Sequence, residues 1–459
     1  MIRIGVSAGL RPGQAFSRGF RTMGCVGHAA RVLALALLAL TNAEAANFYV
    51  RSGAAGSASG MDWVNAYSNL PSTLLRGSTY YVADGDYGAH RFNTPVNGTN
   101  LIIIRKATRT DHGTDVGWID SYGDGSATWG GITVTTDYWL IDGQERASWT
   151  NGYGFVVDPP SAGKGASISG DHVTIQYAEF IGNGPDDAAS PSDDGIYATS
   201  GQSALSFRYL CIRDNGRCPF LLRGLSNLLV EHCFIARNES HPSQHSEGVS
   251  LYGMGTANCV FRHNIWEDIE GTGVIVVGNA TGCAFYGNLI YWTSRYPNTG
   301  QAGGYVGNGA ITSWTRETHS NCLYYNNTVI LPSTGGNSFR LGNMVGSAGT
   351  NNVSYNNLYF CAGTIGTRLS YDDGTAHDYN AYSGTSVFGE AHGSCGLTTG
   401  IFRDFAGGDF SLVAGTGPGL ALPTPYAVDL RGVIRGKDGR WDCGAYEHVW
   451  DVKNLHVVP

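Results

Sequence analysis

Eight polar residues between positions 193 and 252 hold the side chains that chemistry on a charged polymer needs: Asp193, Asp194, Asn215, Arg217, Arg223, His245, Glu247 and Tyr252. Arginines neutralise carboxylates, and an imidazole or a phenol moves a proton. Together these functions suit β-elimination at a uronic acid, which needs the sugar carboxylate neutralised, the C5 proton removed and the leaving oxygen protonated. Arg217 and Arg223 are the candidates for the first role. His245, a side chain that titrates near neutrality, and Tyr252, placed beside an arginine, are the candidates for the proton transfers. Asp194, Asn215 and Glu247 offer the oxygen donors that a calcium ion takes, and Asp194 is also a candidate contact to the substrate. Trp292, Tyr305 and Trp314, in or near a long insertion over 291–308, can stack on sugar rings or fill a loop core. Two other readings stay open. Asp194 with Glu247, or Glu247 with Glu270, would suit a glycoside hydrolase, and the same surface would suit a non-catalytic glycan-binding or surface protein.

These residues are scattered over some sixty positions, so the fold must bring them together. A repeat does so. Asn258-Cys-Val-Phe-Arg-His-Asn-Ile-Trp266 returns as Gly282–Ile290, Asn321–Val329 and Asn351–Tyr359, with an earlier copy at Asn227–Ile235. Apolar and polar residues alternate over a few positions, the period of a half-buried strand, and no helical period of useful length intervenes. Unequal spacing between copies fits loops of different length joining constant rungs. Stacking puts Asn264, Asn288, Asn327 and Asn357 in an asparagine ladder, with His232 and His263 in a column beside it. A second strand aligns as Asp194–Thr199, Cys218–Arg223, Glu247–Tyr252, Thr272–Val277 and Asn308–Ser313. That alignment gives an inward column of Ile196, Phe220, Val249, Val274 and Ala310. It gives an outward column of Thr199, Arg223, Tyr252, Val277 and Ser313. Glycine precedes four of the five strands, as a turn with unusual backbone angles would require.

The fold expected is all-β: a single-stranded parallel β-helix, or solenoid, with N- and C-terminal caps. Residues 46–100 read as the N-terminal cap and first coils, with a short capping helix over Asp62–Tyr67. Residues 101–360 read as the body and 361–459 as C-terminal coils and cap. Glycine contributes 66 of 459 residues and charged residues 14%, which fits tight turns between short strands and argues against disorder. A net charge of −8 with no basic run in the mature region excludes nucleic acid as the partner but not an acidic polysaccharide. Arg18, Arg21 and Arg31 lead into the apolar run Val32–Leu40 and then Ala43-Glu44-Ala45, the pattern of a signal peptide over 1–45. The mature chain is therefore expected in the periplasm or secreted, off the membrane, as a monomer. Of ten cysteines, Cys259, Cys283 and Cys322 share one register and read as small core residues, while Cys395 and Cys443 are free to pair.

Tyr81-Val-Ala-Asp-Gly-Asp-Tyr87 near the start and Gly444-Ala-Tyr-Glu447 at the end resemble segments of exported bacterial proteins of the right-handed parallel β-helix, pectate-lyase-like superfamily. Glu247-Gly-Val-Ser-Leu-Tyr252 is similar to the Glu-x-Ile-Ser-Val-Lys strand of the chondroitinase-B and alginate-lyase family. The resemblance implies a calcium ligand at Glu247, with Asn215 as a ligand one coil earlier. The sequence departs from that pattern in three places: Tyr252 stands at the position of the family's lysine base, Val277 or its neighbour at that of an arginine, and His245 near that of an acidic ligand.

Overall fold

The computed structural model describes residues 45–161, 163–184, 193–238, 246–253, 255–271, 273–293, 309–314, 317–331, 349–361 and 375–449. Over these the chain is almost entirely short strands in three parallel sheets. Sheet I has eight strands, from His90–Phe92 to Gly309–Thr312; sheet II has twelve, from Asn47–Val50 to Thr375–Asp378; sheet III has eleven, from Gly85–Asp86 to Ala381–Tyr382. One coil visits the three in turn, as Glu247–Tyr252, Val260–Arg262 and Ile265–Glu267 do, before Gly273–Val277 starts the next. Among the described residues no helix is long and apolar enough to cross a membrane.

The repeat's spelling follows from its corners. A strand can leave one sheet and enter the next at a single residue with positive φ, a conformation that asparagine and glycine tolerate best. The corner before sheet II is Asn258 (φ 54°), Gly282 (65°), Asn321 (55°) and Asn351 (56°) in successive coils. The corner before sheet III is His263 (54°), Gly287 (65°), Asn326 (55°) and Asn356 (58°). The next residue in each coil is the ladder asparagine, and the expected ladder is present. Asn264 Nδ2 donates to Asn288 Oδ1 (3.0 Å), Asn288 Nδ2 to Asn327 Oδ1 (2.9 Å) and Asn327 Nδ2 to Asn357 Oδ1 (2.9 Å). The row runs one rung further, to Asn380 (3.0 Å), whose Nδ2 donates to Glu390 Oε1 (2.7 Å). Glu390, its side chain fully buried, also accepts from the Asn380 N–H (3.0 Å) and the Tyr382 hydroxyl (2.6 Å). Each ladder amide also ties down a backbone carbonyl, as Asn288 Nδ2 does for Phe261 O (2.9 Å). Asn288→Ala therefore strands buried groups on both neighbouring rungs. It should lower unfolding free energy by on the order of 3 kcal/mol, read as a shift in denaturant midpoint at unchanged slope.

Aliphatic and aromatic side chains from all three sheets fill the coil: Ile196, Phe220, Val249 and Ile275 from sheet I, Phe207, Val230 and Phe261 from sheet II, Ile212, Ile235 and Trp266 from sheet III. Cys259, Cys283 and Cys322 are buried in one core column, as expected. Cys443 is buried with its thiol donating to Tyr379 O (3.0 Å) and Cys395 is exposed; both are free thiols, so the suggested pairing is not made.

Three details correct the sequence reading. Residues 62–67 bend rather than form a helix, because Asp62 Oδ1 accepts the Asn65 N–H (2.7 Å) in place of a helical carbonyl and Trp63 is drawn into contact with Tyr49 (5.0 Å). The sheet I columns hold from Ile196 to Phe220 to Val249 and then slip by one: Val249 pairs with Ile275, and Ile275 with Ile311. Of the glycines that suggested the alignment, Gly309 takes the expected positive φ (128°), whereas Gly195, Gly248 and Gly273 mark crowding. A Cβ at Gly248 would lie 2.7 Å from Val274 O and 3.1 Å from the Trp266 ring, so glycine spacing does not set the register.

The C-terminal segment packs on the outer face of sheet III, where Leu289, Ile330, Leu358 and Phe360 meet Ile401, Phe402, Phe410, Leu412 and Leu430. The Gly444–Glu447 motif is its fastening. Gly444 N–H donates to Asn356 O (2.7 Å), Ala445 N–H to Thr328 Oγ1 (2.7 Å), and Glu447 pairs with the fully buried Arg435 (3.3 Å). At the other end, Asp84 of the Tyr81–Tyr87 segment meets the buried Lys106 (2.5 Å) and accepts the Asp124 and Gly125 N–H groups (3.0 and 2.6 Å).

Candidate active site on sheet I

Strands that alternate inward and outward present every second residue to the outside. On sheet I, Arg223 pairs in register with Tyr252, and the guanidinium carbon lies 5.8 Å from the centre of the phenol ring. Arg223 is exposed and Tyr252 half-buried. The two residues expected to stand side by side on one face do so.

The slip in register changes what comes next. Leu251 pairs with Val277, so the neighbour of Tyr252 is Gly278, whose N–H donates to Leu251 O (2.8 Å); two residues beyond the Val276–Thr312 pair stands Trp314. Val277 and Ser313, expected outside, are buried. The outward column is thus Arg223, Tyr252, Gly278, Trp314, with a phenol and an indole flanking a glycine and separated by two strand spacings, ~9.6 Å.

The gap over Gly278 is filled by the carboxyl of Glu317, whose N–H donates to Trp314 O (3.0 Å). A Cβ at position 278 would lie 1.6 Å from Glu317 Oε2, so only glycine admits the carboxyl there. That oxygen is buried and has no hydrogen-bond partner among the described residues, and burial raises the Glu317 carboxyl above its ordinary value. Beneath the strand, the buried His319 supports it. Its Nε2–H donates to Val277 O (2.5 Å), its Nδ1 meets the Tyr324 hydroxyl, and burial pushes it down to about 4, so the ring is neutral. Glu317 is absent from the sequence reading because it sits in a loop off the rung; the signal that would have found it is Gly278, once the register is right.

The remaining expected residues are placed otherwise. Asp194 is fully buried and its carboxylate is gripped by Arg217, Nε to Oδ1 at 2.8 Å and Nη2 to Oδ2, so Asp194 is not a substrate contact and Arg217 is committed to it. Burial raises the Asp194 carboxyl while Arg217 opposes it. Its neighbour Asp193 ties down the backbone, accepting the Asn183 and Gly216 N–H groups (2.9 and 2.7 Å). Glu247 is fully buried with the Cys218 thiol 3.6 Å from Oε2, and Asn215 is buried. Among the described residues this donor set falls short of the six to eight oxygen ligands that calcium takes, although Asn215 Oδ1 is buried without a hydrogen-bond partner. A guanidinium already occupies Asp194, and a thiol stands at Glu247. The Asp194/Glu247 and Glu247/Glu270 pairs suggested for hydrolysis are buried in all three members. Trp292 belongs to the core, with its Nε1–H donating to Ile269 O (2.9 Å), and walls no subsite. Trp314 stands in the outward column as a half-buried ring. His245 and Tyr305 lie outside the described residues.

With coils, corners and ladder in place, the fold is a single-stranded right-handed parallel β-helix, and the sequence pattern described as "right handed beta helix region" matches residues 133–290. No curated protein matches the chain. Among solved structures, the chain is similar to the Dettilon tailspike protein at 14% identity and a TM-score of 0.38, covering 62% of this chain and 54% of that one. It is similar to pectate lyase Pel9A at 12% identity and a TM-score of 0.44, covering 89% of this chain and 97% of that one. A third is the PL6 family alginate lyase AlyGC, at 12% identity and a TM-score of 0.30, with 66% of this chain and 48% of that one covered. The chain thus spans about half the length of the tailspike and of the alginate lyase.

Proposed function

We propose that the protein is an exported enzyme that cleaves a uronic-acid-containing polysaccharide by β-elimination. The observation that carries this reading is the Arg223–Tyr252 pair, held in register on adjoining rungs of the outward face of sheet I with the Trp314 ring further along the same column. A linear glycan laid along the column stacks a sugar ring on Trp314 and sets a uronate carboxylate against the exposed Arg223 guanidinium. Neutralising that carboxylate makes the C5 hydrogen acidic, and the Tyr252 phenol, whose ring centre lies 5.8 Å from the same guanidinium, exchanges the proton. No step needs a metal from Asp194, Asn215 or Glu247. The basic lead and apolar run of residues 18–40 support export to the periplasm or beyond.

The test is incubation of the mature chain with polygalacturonate, alginate and uronate-containing glycosaminoglycans. New ultraviolet absorbance from an unsaturated uronate is the expected result. New reducing ends without that absorbance would make the protein a hydrolase, and binding without either product would make it a glycan-binding module.

A further inference from the structure

We propose that Glu317 is the acid that protonates the leaving glycosidic oxygen. The proposal rests on the β-elimination reading above and assigns its remaining role. Tyr252 and Arg223 account for proton removal and charge neutralisation, and among the described residues Glu317 is the further proton-holding group that reaches the outward column.

Its setting differs from that of the buried carboxylates. Asp194 is gripped by Arg217, Glu231 lies between Arg208 and Arg262, and Glu390 takes the end of the asparagine ladder. Glu317 Oε2 is buried without a hydrogen-bond partner among the described residues. A folding role alone would be better served by a paired or an apolar side chain, since a buried oxygen without a partner weakens the fold. The absence of a side chain at Gly278 leaves the space this oxygen fills, since a Cβ there would lie 1.6 Å from it. Burial favours the protonated form, the one a general acid requires. The Glu317 N–H donates to Trp314 O (3.0 Å), which ties the acid to the residue that carries the stacking ring.

The step balances. The Tyr252 phenolate takes the C5 proton, and the C5–H electron pair becomes the C4–C5 double bond. The C4–O4 bond breaks, and O4 takes its proton from Glu317. Solvent then reprotonates the Glu317 carboxylate and Tyr252 returns its proton. No oxidant, reductant or water molecule is consumed.

The experiment compares two substrates in wild type, Glu317→Gln and Tyr252→Phe. One is whichever polymer of polygalacturonate, alginate and the glycosaminoglycans wild type cleaves fastest, and the other is a uronate carrying 4-nitrophenol at O4, which leaves without protonation. On the polymer, Glu317→Gln should lower kcat by about 10²–10⁴-fold, and on the nitrophenyl substrate it should stay within about threefold of wild type. Tyr252→Phe should fall on both. The wild-type rate on the polymer should decline as pH rises through the elevated Glu317 value, because the donor form is lost, and that limb should vanish in Glu317→Gln. Equal losses on both substrates for Glu317→Gln, with an unchanged melting temperature, would overturn the assignment while leaving the elimination reading intact, as would no loss on either. Absence of unsaturated product from wild type on both substrates would overturn the two together.

Discussion

Tyr252→Phe should lower the rate of unsaturated-uronate release by about 10²–10⁴-fold with little change in KM. The substitution removes one oxygen and keeps the ring, so sugar packing along the column and the contact with Arg223 both persist. What is lost is the only phenol next to the exposed guanidinium among the described residues of this column. Tyr252 forms no part of the core, so its melting temperature should match wild type. Initial rates from ultraviolet absorbance, taken across substrate concentrations, separate the two parameters. A fall in kcat/KM arising entirely from KM would recast Tyr252 as a stacking residue and return the proton transfer to His245.

The second large effect lies far from sheet I. Arg435→Met should destabilise the folded chain by about 3–5 kcal/mol, because it leaves Glu447 buried and unpaired. Arg435 does more than balance charge: its Nη2 donates to Gly444 O (2.7 Å) and its Nη1 to Asp442 O (3.2 Å), holding the turn that fastens the C-terminal segment to sheet III. Burial already pushes Glu447 up to about 7 despite its contacts to Arg435 and to the Gly436 and Asp442 N–H groups, so without the arginine it would fold as the neutral acid. The loss should therefore be smallest at acid pH and grow as pH rises through neutrality. Denaturant unfolding across pH measures this, and proteolysis after residue 400 reports the segment coming away from sheet III.

The repeat was legible because its corners and ladder each demand a particular residue. Positive φ selects asparagine or glycine at 258, 282, 321 and 351, and an inward amide that must bridge two rungs selects asparagine at 264, 288, 327 and 357. The Arg223–Tyr252 neighbourhood was legible for the same reason, since it lies where the columns still run true. The slip after Val249 was not, because Gly248 and Gly273 look alike in sequence yet Gly273 pairs with Glu247. From that slip came the mistaken outward places of Val277 and Ser313 and the failure to see Gly278. Asp194, Asn215 and Glu247 look like surface chemistry, but whether a polar group at the start of a strand is covered depends on loops whose course the periodicity does not encode. Glu317 is the converse case: a residue outside any rung that reaches into one.

The end of the asparagine row has a consequence for how long the coil can be. Each amide both gives and receives a proton along the axis, so the row has a direction and would accept another amide indefinitely. Glu390 only receives. With a carboxylate closing the relay, a further asparagine-bearing rung, whether from an internal duplication or from a second molecule stacking end to end, finds no donor to continue from. The final residue of the row acts as a full stop, and it guards a parallel coil against the open-ended growth to which exposed strand edges are prone.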